Sequence, residues 1–172
     1  MSAGSRTVVD IIARLVQRGA QPAPLDDAQL ATLEASLGAP LPDELRAFLS
    51  VWGDEAPGLI PLAQAIALAT RATETFPHDR AEAQAAMRPG EYVFLDTFDP
   101  PGTLLLREEE GLCIHLVISG EARGSVWLAT PHGLAPAYAV IEDEPVLHGF
   151  ASWYFDWLAS DEPTPTNESD AG

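Results

Sequence analysis

Residues 33–53 read LEASLGAPLPDELRAFLSVWG, and this stretch decides the fold because it holds the end of one helix and a second short helix. Gly38 can adopt the left-handed conformation that closes a helix. Pro42 suits the first turn of the next helix, where its missing N–H has no partner. Asp43 and Glu44 favour the positive N-terminal end of that helix. The stretch therefore predicts two short helices that pack on one core.

The first of these helices has a start signal upstream. Asp26 is a good N-cap residue, and Gln29 lies three residues later, as in a capping box. Gly53 is placed to end the second helix. Apolar residues recur at helical spacing on both segments, which predicts two buried faces. These residues are Leu30, Leu33 and Leu37 on the first helix, and Leu41, Leu45, Phe48, Leu49 and Trp52 on the second.

Further helices are predicted on both sides of this pair. Residues 1–19 form an amphipathic segment ended by Gly19, and its helix is expected at about residues 6–19. Residues 62–76 are Ala-rich with helical spacing, and residues 77–90 are polar and favour a loop or a short helix. The N-terminus lacks a long apolar core and a small-residue cleavage site, so a signal peptide is not expected.

The second half of the chain changes period. Alternating and β-branched runs predict strands at residues 91–96, 103–107, 112–118 and 125–129, with a fifth at 137–141. The connections are short, which favours an antiparallel meander. Residues 150–158 form an aromatic-rich final helix. The predicted class is α+β: N-terminal helices, a central antiparallel β-sheet of four to six strands and a C-terminal helix, with one sheet face on the helices and the other partly open.

Length and composition bound the organisation. The 172 residues suit a single domain, expected at residues 1–160, and the charged, Pro-containing residues 161–172 are expected to be a disordered acidic tail. No apolar run reaches about 18 residues, so no membrane span is expected. The single cysteine, Cys113, cannot form an internal disulfide, so the cytoplasm is the expected compartment.

The charge is strongly acidic. The chain has 26 acidic and 9 basic residues, for a formal net charge of −17, and every basic residue is Arg. Such a chain repels nucleic acid and anionic membranes and attracts a basic protein partner. The alternative is that the acidity only keeps the protein soluble.

The chain offers little to catalysis or metal binding. Cys113 and His115 lie two apart in a predicted strand and share a face, but a nucleophile and its base need a third, orienting group that the sequence does not supply. A buried strand cysteine is the alternative. The four histidines match no metal-ligand spacing. We therefore expect no enzyme activity, no cofactor and no metal at His78, His115, His132 or His148.

Two acidic runs are the candidate partner-binding residues. Residues 108–110, followed by Gly111, predict an acidic turn tip, and residues 142–144 form a second run. Each run is either a solvated loop or a docking patch for a basic surface. Two aromatic strand residues could add an apolar patch on the sheet, although core packing is the alternative for a strand Trp. The candidates are Glu108, Glu109, Glu110, Glu142, Asp143, Glu144, Trp127 and Tyr138.

The opening stretch also resembles a family signature, that of the SUKH superfamily. Its members carry Leu-Glu-x-x-Leu-Gly, then Leu-Pro-x-x-Leu/Tyr-x-x-Phe-Leu and a Gly, and later a Gly-x-Val/Ile-Trp/Tyr strand. They often end in a helix of the form Phe-x-x-Phe/Tyr-x-x-Trp/Leu-Leu, which this chain matches with looser spacing. The resemblance covers about residues 25–160. The matching residues are Leu33, Glu34, Leu37, Gly38, Leu41, Pro42, Leu45, Phe48, Leu49, Gly53, Gly124, Val126, Trp127, Phe150, Tyr154 and Leu158.

The resemblance implies a function without implying an active site. Bacterial SUKH proteins are mostly immunity proteins that neutralise polymorphic toxins, and some eukaryotic relatives are signalling scaffolds; the superfamily has no common catalytic set. It implies a cytoplasmic immunity protein that binds a cognate toxin with a basic surface and blocks it by occlusion. The alternatives are a non-enzymatic regulatory scaffold that binds a host protein, and an uncharacterised enzyme. The N-terminal helix and the Ala-rich segment depart from the family pattern.

Overall fold

The computed structural model describes residues 6–93 and 99–161, and their architecture confirms the α+β class. In these described ranges, five helices precede a block of six strands, and one helix follows it. The helices are α1 (Val8–Gln17), α2 (Asp27–Leu37), α3 (Asp43–Val51), α4 (Leu62–Leu68), α5 (Arg80–Ala85) and α6 (Phe150–Asp161). The strands are β1 (Thr103–Glu109), β2 (Leu112–Val117), β3 (Val126–Thr130), β4 (Gly133–Pro136), β5 (Tyr138–Ile141) and β6 (Glu144–Leu147).

The predicted caps of α2 and α3 are present. The Asp26 carboxylate accepts a hydrogen bond from the Gln29 backbone N–H, and the Gln29 side chain accepts one from the Asp26 N–H, which completes the capping box. Gly38 ends α2 with a φ of 82°, in the left-handed region. Pro42 lies at the N-cap of α3, one residue earlier than predicted. Local signals therefore set the bounds of this helix pair.

Helix α4 is shorter than predicted, because it ends at Leu68 and not near residue 76. The chain after it contains three β-branched threonines, which are weak helix formers. Tertiary hydrogen bonds hold this chain in turns instead. The Thr70 hydroxyl donates to the Asp99 carboxylate at 2.6 Å, and the Arg71 carbonyl accepts from the Gly102 N–H at 3.0 Å. Residues 69–79 therefore lead across to the sheet.

The sheet is an antiparallel meander with strand order β1-β2-β3-β4, and β5 and β6 form a separate hairpin. Strands β4 and β6 were not predicted. The first residue of β4 is Gly133 and the last is Pro136, two residue types that are depleted in strands, and the strand lies at the sheet edge. Of the strand predicted at residues 91–96, Val93 forms an isolated bridge with Leu134, and residues 94–96 lie outside the described residues.

One face of the sheet packs on the helices and forms the main core. The predicted core residues Leu45 and Trp52 are both buried there, with Phe48 between them. Phe48 contacts the rings of Phe150 and Tyr154 at centroid distances of 5.5 and 5.8 Å. The sheet contributes the aliphatic residues Leu104, Leu106, Ile114, Leu116 and Val126.

The opposite face of the sheet has a smaller second core. The segment that carries α5 crosses this face, where Phe76 and Ala83 are buried with Trp127. The Phe76 and Trp127 rings meet edge to face at 5.2 Å. This cover does not extend over the β1–β2 end of the face, where a pocket is open. The expectation of one covered face and one partly open face is therefore confirmed.

A β-bulge interrupts the pairing of β1 with β2. Leu105 pairs with His115, but Arg107 and not Leu106 pairs with Ile114. Leu106 is the extra residue, so Leu106 and Arg107 both face the helices. From Arg107 onward the alternation of β1 is therefore reversed relative to an unbulged strand.

The predicted domain boundary at residue 160 lies near the end of α6 and stays a prediction. Asp161 is the last residue of α6, and its carboxylate accepts a hydrogen bond from the Arg18 guanidinium at 3.1 Å. The predicted tail otherwise lies outside the described residues. Among the described residues, no helix has the length and apolar character that a membrane crossing requires.

Candidate functional site

The first acidic run does not form a three-residue turn tip. Glu108 and Glu109 are strand residues of β1, paired with Cys113 and Leu112, and the tight turn contains Glu110 and Gly111. Neighbouring strand residues point to opposite faces of a sheet. The three carboxylates of the run therefore have three different environments, which is a correction to the sequence prediction.

Glu109 is paired on the helix side of the hairpin. Its carboxylate accepts a hydrogen bond from the Arg107 Nε at 2.6 Å. The Arg107 guanidinium also donates to the Gly58 carbonyl at 3.0 Å and lies 4.7 Å from the centroid of the Trp157 ring. Because Arg107 offsets its charge, Glu109 contributes less than its neighbours to an acidic surface.

Glu108 is directed to the open part of the second sheet face by the bulge. There it lines a pocket of about 300 Å³ with the strand residues Cys113, His115 and Leu105. The pocket wall on the other side comes from the end of α4, which supplies Leu68, and from Asp99. Two carboxylates thus border a pocket with aliphatic walls. Such an arrangement suits a Lys or Arg side chain, because those side chains combine an apolar stem with a charged head.

Cys113 and His115 do share this face, as the strand spacing predicted, but the thiol is not activated. Burial raises the pKa of the Cys113 thiol, and the negative charge of Glu108 raises it further. The thiol is therefore protonated near neutral pH, whereas a nucleophilic cysteine needs a lowered pKa.

His115 is held by a hydrogen bond that orients its ring. Its Nδ1 is 3.1 Å from the Thr103 hydroxyl oxygen, and that hydroxyl donates its own proton to the Pro100 carbonyl at 2.8 Å. Nδ1 must therefore carry the proton and donate to Thr103. Both side chains are buried, which makes this pair part of the structure of the pocket floor.

The other histidines have separate environments. His78 donates through Nδ1 to the Glu82 carboxylate at 3.2 Å and stacks on the Trp127 ring. His148 Nε2 is 3.3 Å from Asp156, and burial lowers the pKa of His148 despite that carboxylate. Within residues 6–93 and 99–161, no three His, Cys, Asp or Glu side chains are grouped as a metal site. The expectation of no metal stays a prediction.

The second acidic run occupies a strained hairpin turn. Glu142 and Asp143 connect β5 to β6 with φ angles of 50° and 66°, and Glu144 begins β6. A two-residue turn with both φ angles positive is the type that prefers Asn-Gly or Asp-Gly. A Glu in the left-handed region costs on the order of 1 kcal/mol. The hairpin thus holds two acidic side chains at its tip where glycine would be less strained.

The two acidic runs mark opposite ends of the sheet. The β1–β2 turn lies beside the end of β3 at Thr130, whereas the β5–β6 hairpin starts where β3 begins. There the Val126 N–H donates to the His148 carbonyl at 3.0 Å, and the Ala137 N–H donates to the Val126 carbonyl at 2.8 Å. One compact patch cannot contain both runs.

The two aromatic candidates differ. Trp127 is completely buried, and its indole N–H donates to the Ser125 hydroxyl at 2.9 Å, so its side chain is not part of an exposed surface. Tyr138 is half-buried on the β5–β6 hairpin. It shares a hairpin face with Val140, which is 65% exposed and which the sequence reading missed. An apolar surface, if used, would include Tyr138 and Val140.

Comparisons with known proteins add no relative. No protein-family model and no curated protein sequence matches the chain. The resemblance to the SUKH superfamily therefore rests on the motifs quoted from the sequence, and it stays a prediction.

Proposed function

We propose that this chain is a cytoplasmic immunity protein, which binds a cognate bacterial toxin with a basic surface and blocks it by occlusion without catalysis. The observation that carries the proposal is the pocket in which the Glu108 and Asp99 carboxylates face aliphatic walls. The net charge of −17 and the resemblance of residues 33–53 to the SUKH superfamily support it.

The pocket supplies a specific role for the acidity. A Lys or Arg side chain of the toxin would lay its stem along Leu68 and Leu105 and bring its charged head to Glu108. Glu108 is exposed in the free chain, so its carboxylate would lose water only when a partner covers the pocket. A charge-assisted hydrogen bond formed there would be stronger than one between neutral groups. Lys and Arg side chains that bind nucleic-acid substrates are common around the active sites of nuclease toxins. A chain that binds those side chains would leave the toxin inactive.

The remaining carboxylates would act over longer distances. Glu110 and the tip of the β5–β6 hairpin are exposed. Exposed charges at the rim of an interface act mainly on the association rate, whereas buried charge pairs act on dissociation. The two acidic ends of the sheet would therefore speed the encounter, and the pocket would hold the complex.

The test is a cell-survival assay in which the chain is produced together with the toxin encoded beside its gene. Wild-type chain should protect the cells, and the purified pair should form a complex. Survival without any complex would contradict occlusion, and a complex without protection would favour the regulatory scaffold.

A matched pair of variants separates the pocket from overall charge. Glu108→Gln and Glu110→Gln remove the same charge two residues apart, one in the pocket and one at the turn. We expect Glu108→Gln to raise the dissociation rate of the complex by about ten- to a hundredfold, because a charged hydrogen bond is worth roughly 1.5–3 kcal/mol. Glu110→Gln should leave the dissociation rate within about twofold. Equal effects of the two variants would show that only net charge matters.

A further inference from the structure

A second pocket, of about 190 Å³, has the opposite character. It lies at the base of the β5–β6 hairpin, at the far end of the sheet from Glu108. Arg80 of α5 and Arg123 of the turn before β3 both line it, together with His148 and the aliphatic side chain of Leu147. A pocket with two arginines is unexpected in a chain with a net charge of −17.

These two arginines lack the ion pairs that other arginines of the chain have. Arg123 donates through Nη2 to the carbonyls of Leu41 and Pro40 at 2.9 and 3.2 Å, and Arg80 donates through Nε to the Glu121 carbonyl at 3.2 Å. Within the described ranges, neither has a carboxylate oxygen within 4 Å. By contrast, several arginines of the described ranges pair with carboxylates, among them Arg18, Arg46, Arg71 and Arg107.

Both arginines of this pocket keep N–H donors that no described protein group accepts. A guanidinium has five N–H groups. The carbonyls take two of those on Arg123 and one of those on Arg80, so most of the donors of both side chains have no acceptor among the described residues. A pocket with unused cationic donors suits an oxyanion.

We propose that this pocket binds a phosphate group, either inorganic phosphate or a small phosphate monoester. One carboxylate is satisfied by one guanidinium, whereas a tetrahedral phosphate has oxygens enough to accept from two guanidinium groups on separate elements. The pocket is larger than a phosphate ion, and Leu147 supplies an apolar wall for the carbon part of an ester.

The surrounding charges are compatible with this ligand. His148 faces Asp156, and burial lowers the pKa of His148, so near neutral pH its ring is an uncharged hydrogen-bonding group. The Glu44 carboxylate accepts from the Ala151 N–H and lies against Gly149, so it already occupies the N-terminus of α6. The phosphate would therefore bind to the arginines and not to the helix end.

The test is calorimetric titration of the full chain with inorganic phosphate, methyl phosphate and acetate, at pH 7.5 and at an ionic strength held constant with sodium chloride. Saturable binding of either phosphate, at least about tenfold tighter than that of acetate, is expected. Tighter binding of methyl phosphate than of inorganic phosphate would identify a monoester as the natural ligand, and the reverse would identify the free ion. Absence of saturable phosphate binding, or equal affinity for acetate, would overturn the proposal.

Variants then locate the site. Arg80→Gln changes an exposed side chain and should weaken phosphate binding about tenfold with an unchanged unfolding curve. Arg88→Gln is the matched control, because Arg88 follows α5, is exposed and does not line the pocket, and its affinity should stay within about twofold. Arg123→Gln should also weaken binding. Equal weakening by Arg80→Gln and Arg88→Gln would show attraction by overall charge only and would contradict the site.

Discussion

The two faces of the β1–β2 hairpin differ in the polarity of their residues, although they share the same backbone. On the helix side the strands present aliphatic residues that are almost completely buried, such as Leu104 and Leu116. On the other side lie Thr103 and His115, which are buried but polar, and the half-exposed Cys113. Ser125, the third buried polar residue of residues 6–93 and 99–161, points to this second side as well, since it bonds Trp127.

The contrast shows that folding stability and partner recognition depend on different faces of the hairpin. Close-packed aliphatic surface contributes most of the folding energy but cannot distinguish partners, because hydrophobic burial has no direction. Polar groups that are held by hydrogen bonds add little net stability, yet they give a surface its chemical identity. In this chain the two tasks fall on alternate residues of the same strand.

The largest expected effect comes from two neighbouring leucines. Leu104→Ala should lower the free energy of unfolding by about 2–5 kcal/mol, because Leu104 is buried against the helices. Leu105→Ala should cost less than about 1 kcal/mol, because Leu105 is half-exposed in the pocket. Urea denaturation of both variants measures the difference. Equal losses would mean that the two faces do not differ in packing.

A second variant examines the covered part of the second face. Trp127→Phe keeps an aromatic ring but removes the indole N–H that donates to Ser125 and leaves unfilled volume beside Phe76. A loss of about 1–3 kcal/mol is expected from the cavity and from the lost indole hydrogen bond, while the Ser125 hydroxyl still donates to the Ala122 carbonyl. Thermal unfolding monitored by circular dichroism suits this measurement. A loss below about 0.5 kcal/mol would show that the second core is loosely packed.

The open part of the second face can be probed through its thiol. Since Glu108 helps to raise the pKa of Cys113, Glu108→Gln should lower that pKa and speed alkylation by iodoacetamide at pH 8, by about two- to threefold. Burial remains, so alkylation should stay slower than that of a free thiol. Glu110→Gln, at the turn, should leave the rate unchanged. A rate that does not respond to Glu108→Gln would place this carboxylate away from the thiol.

The smallest effect concerns a carboxylate in the helical layer. Burial raises the pKa of Glu44, against the lowering effect of the hydrogen bond from the Ala151 N–H. An acid whose pKa is higher in the folded chain than in the unfolded chain destabilises the fold as pH rises from its ordinary value of 4.5 through the raised value. Glu44→Gln should therefore be slightly more stable than wild type at pH 7, and the difference should shrink towards pH 4.

Asp43→Asn is the control for that comparison. It removes the same charge in the first turn of the same helix, where an exposed carboxylate favours the helix dipole. It should lower stability slightly at pH 7, with the opposite sign to Glu44→Gln. Urea midpoints at both pH values check the two variants, and a destabilised Glu44→Gln would show that the hydrogen bond outweighs burial.

The sequence predicted the elements whose signals are local. Asp26, Gln29 and Gly38 act within one turn of their own helix, so the bounds of α2 could be predicted from its letters. The spacing of Cys113 and His115 likewise placed both on one face. The end of α4 could not be predicted, because the hydrogen bond from Thr70 to Asp99 joins residues far apart in the chain.

The candidate site was predictable only in part, for the same reason. The acidic runs can be recognised in the amino-acid sequence, but the environment of each carboxylate depends on strand register. The bulge at Leu106 follows from the pairing of β1 with β2. The residue types of β1 alone do not predict a bulge. The pocket also needs Asp99 and the end of α4, which only the folded chain brings to Glu108.

The bulge has a consequence for how this chain should be aligned with relatives. Because β1 holds one residue more than β2 requires, the side chain that reaches the pocket is determined by strand length as well as by residue type. A relative without the extra residue would fill the pocket from the column that an ungapped alignment assigns to Arg107. Loss of that extra residue would remove the bulge, while the tight turn would keep Glu108 opposite Cys113 and the pocket acidic. An alignment with such a relative therefore needs a gap at Leu106, or it assigns the pocket carboxylate to the wrong position.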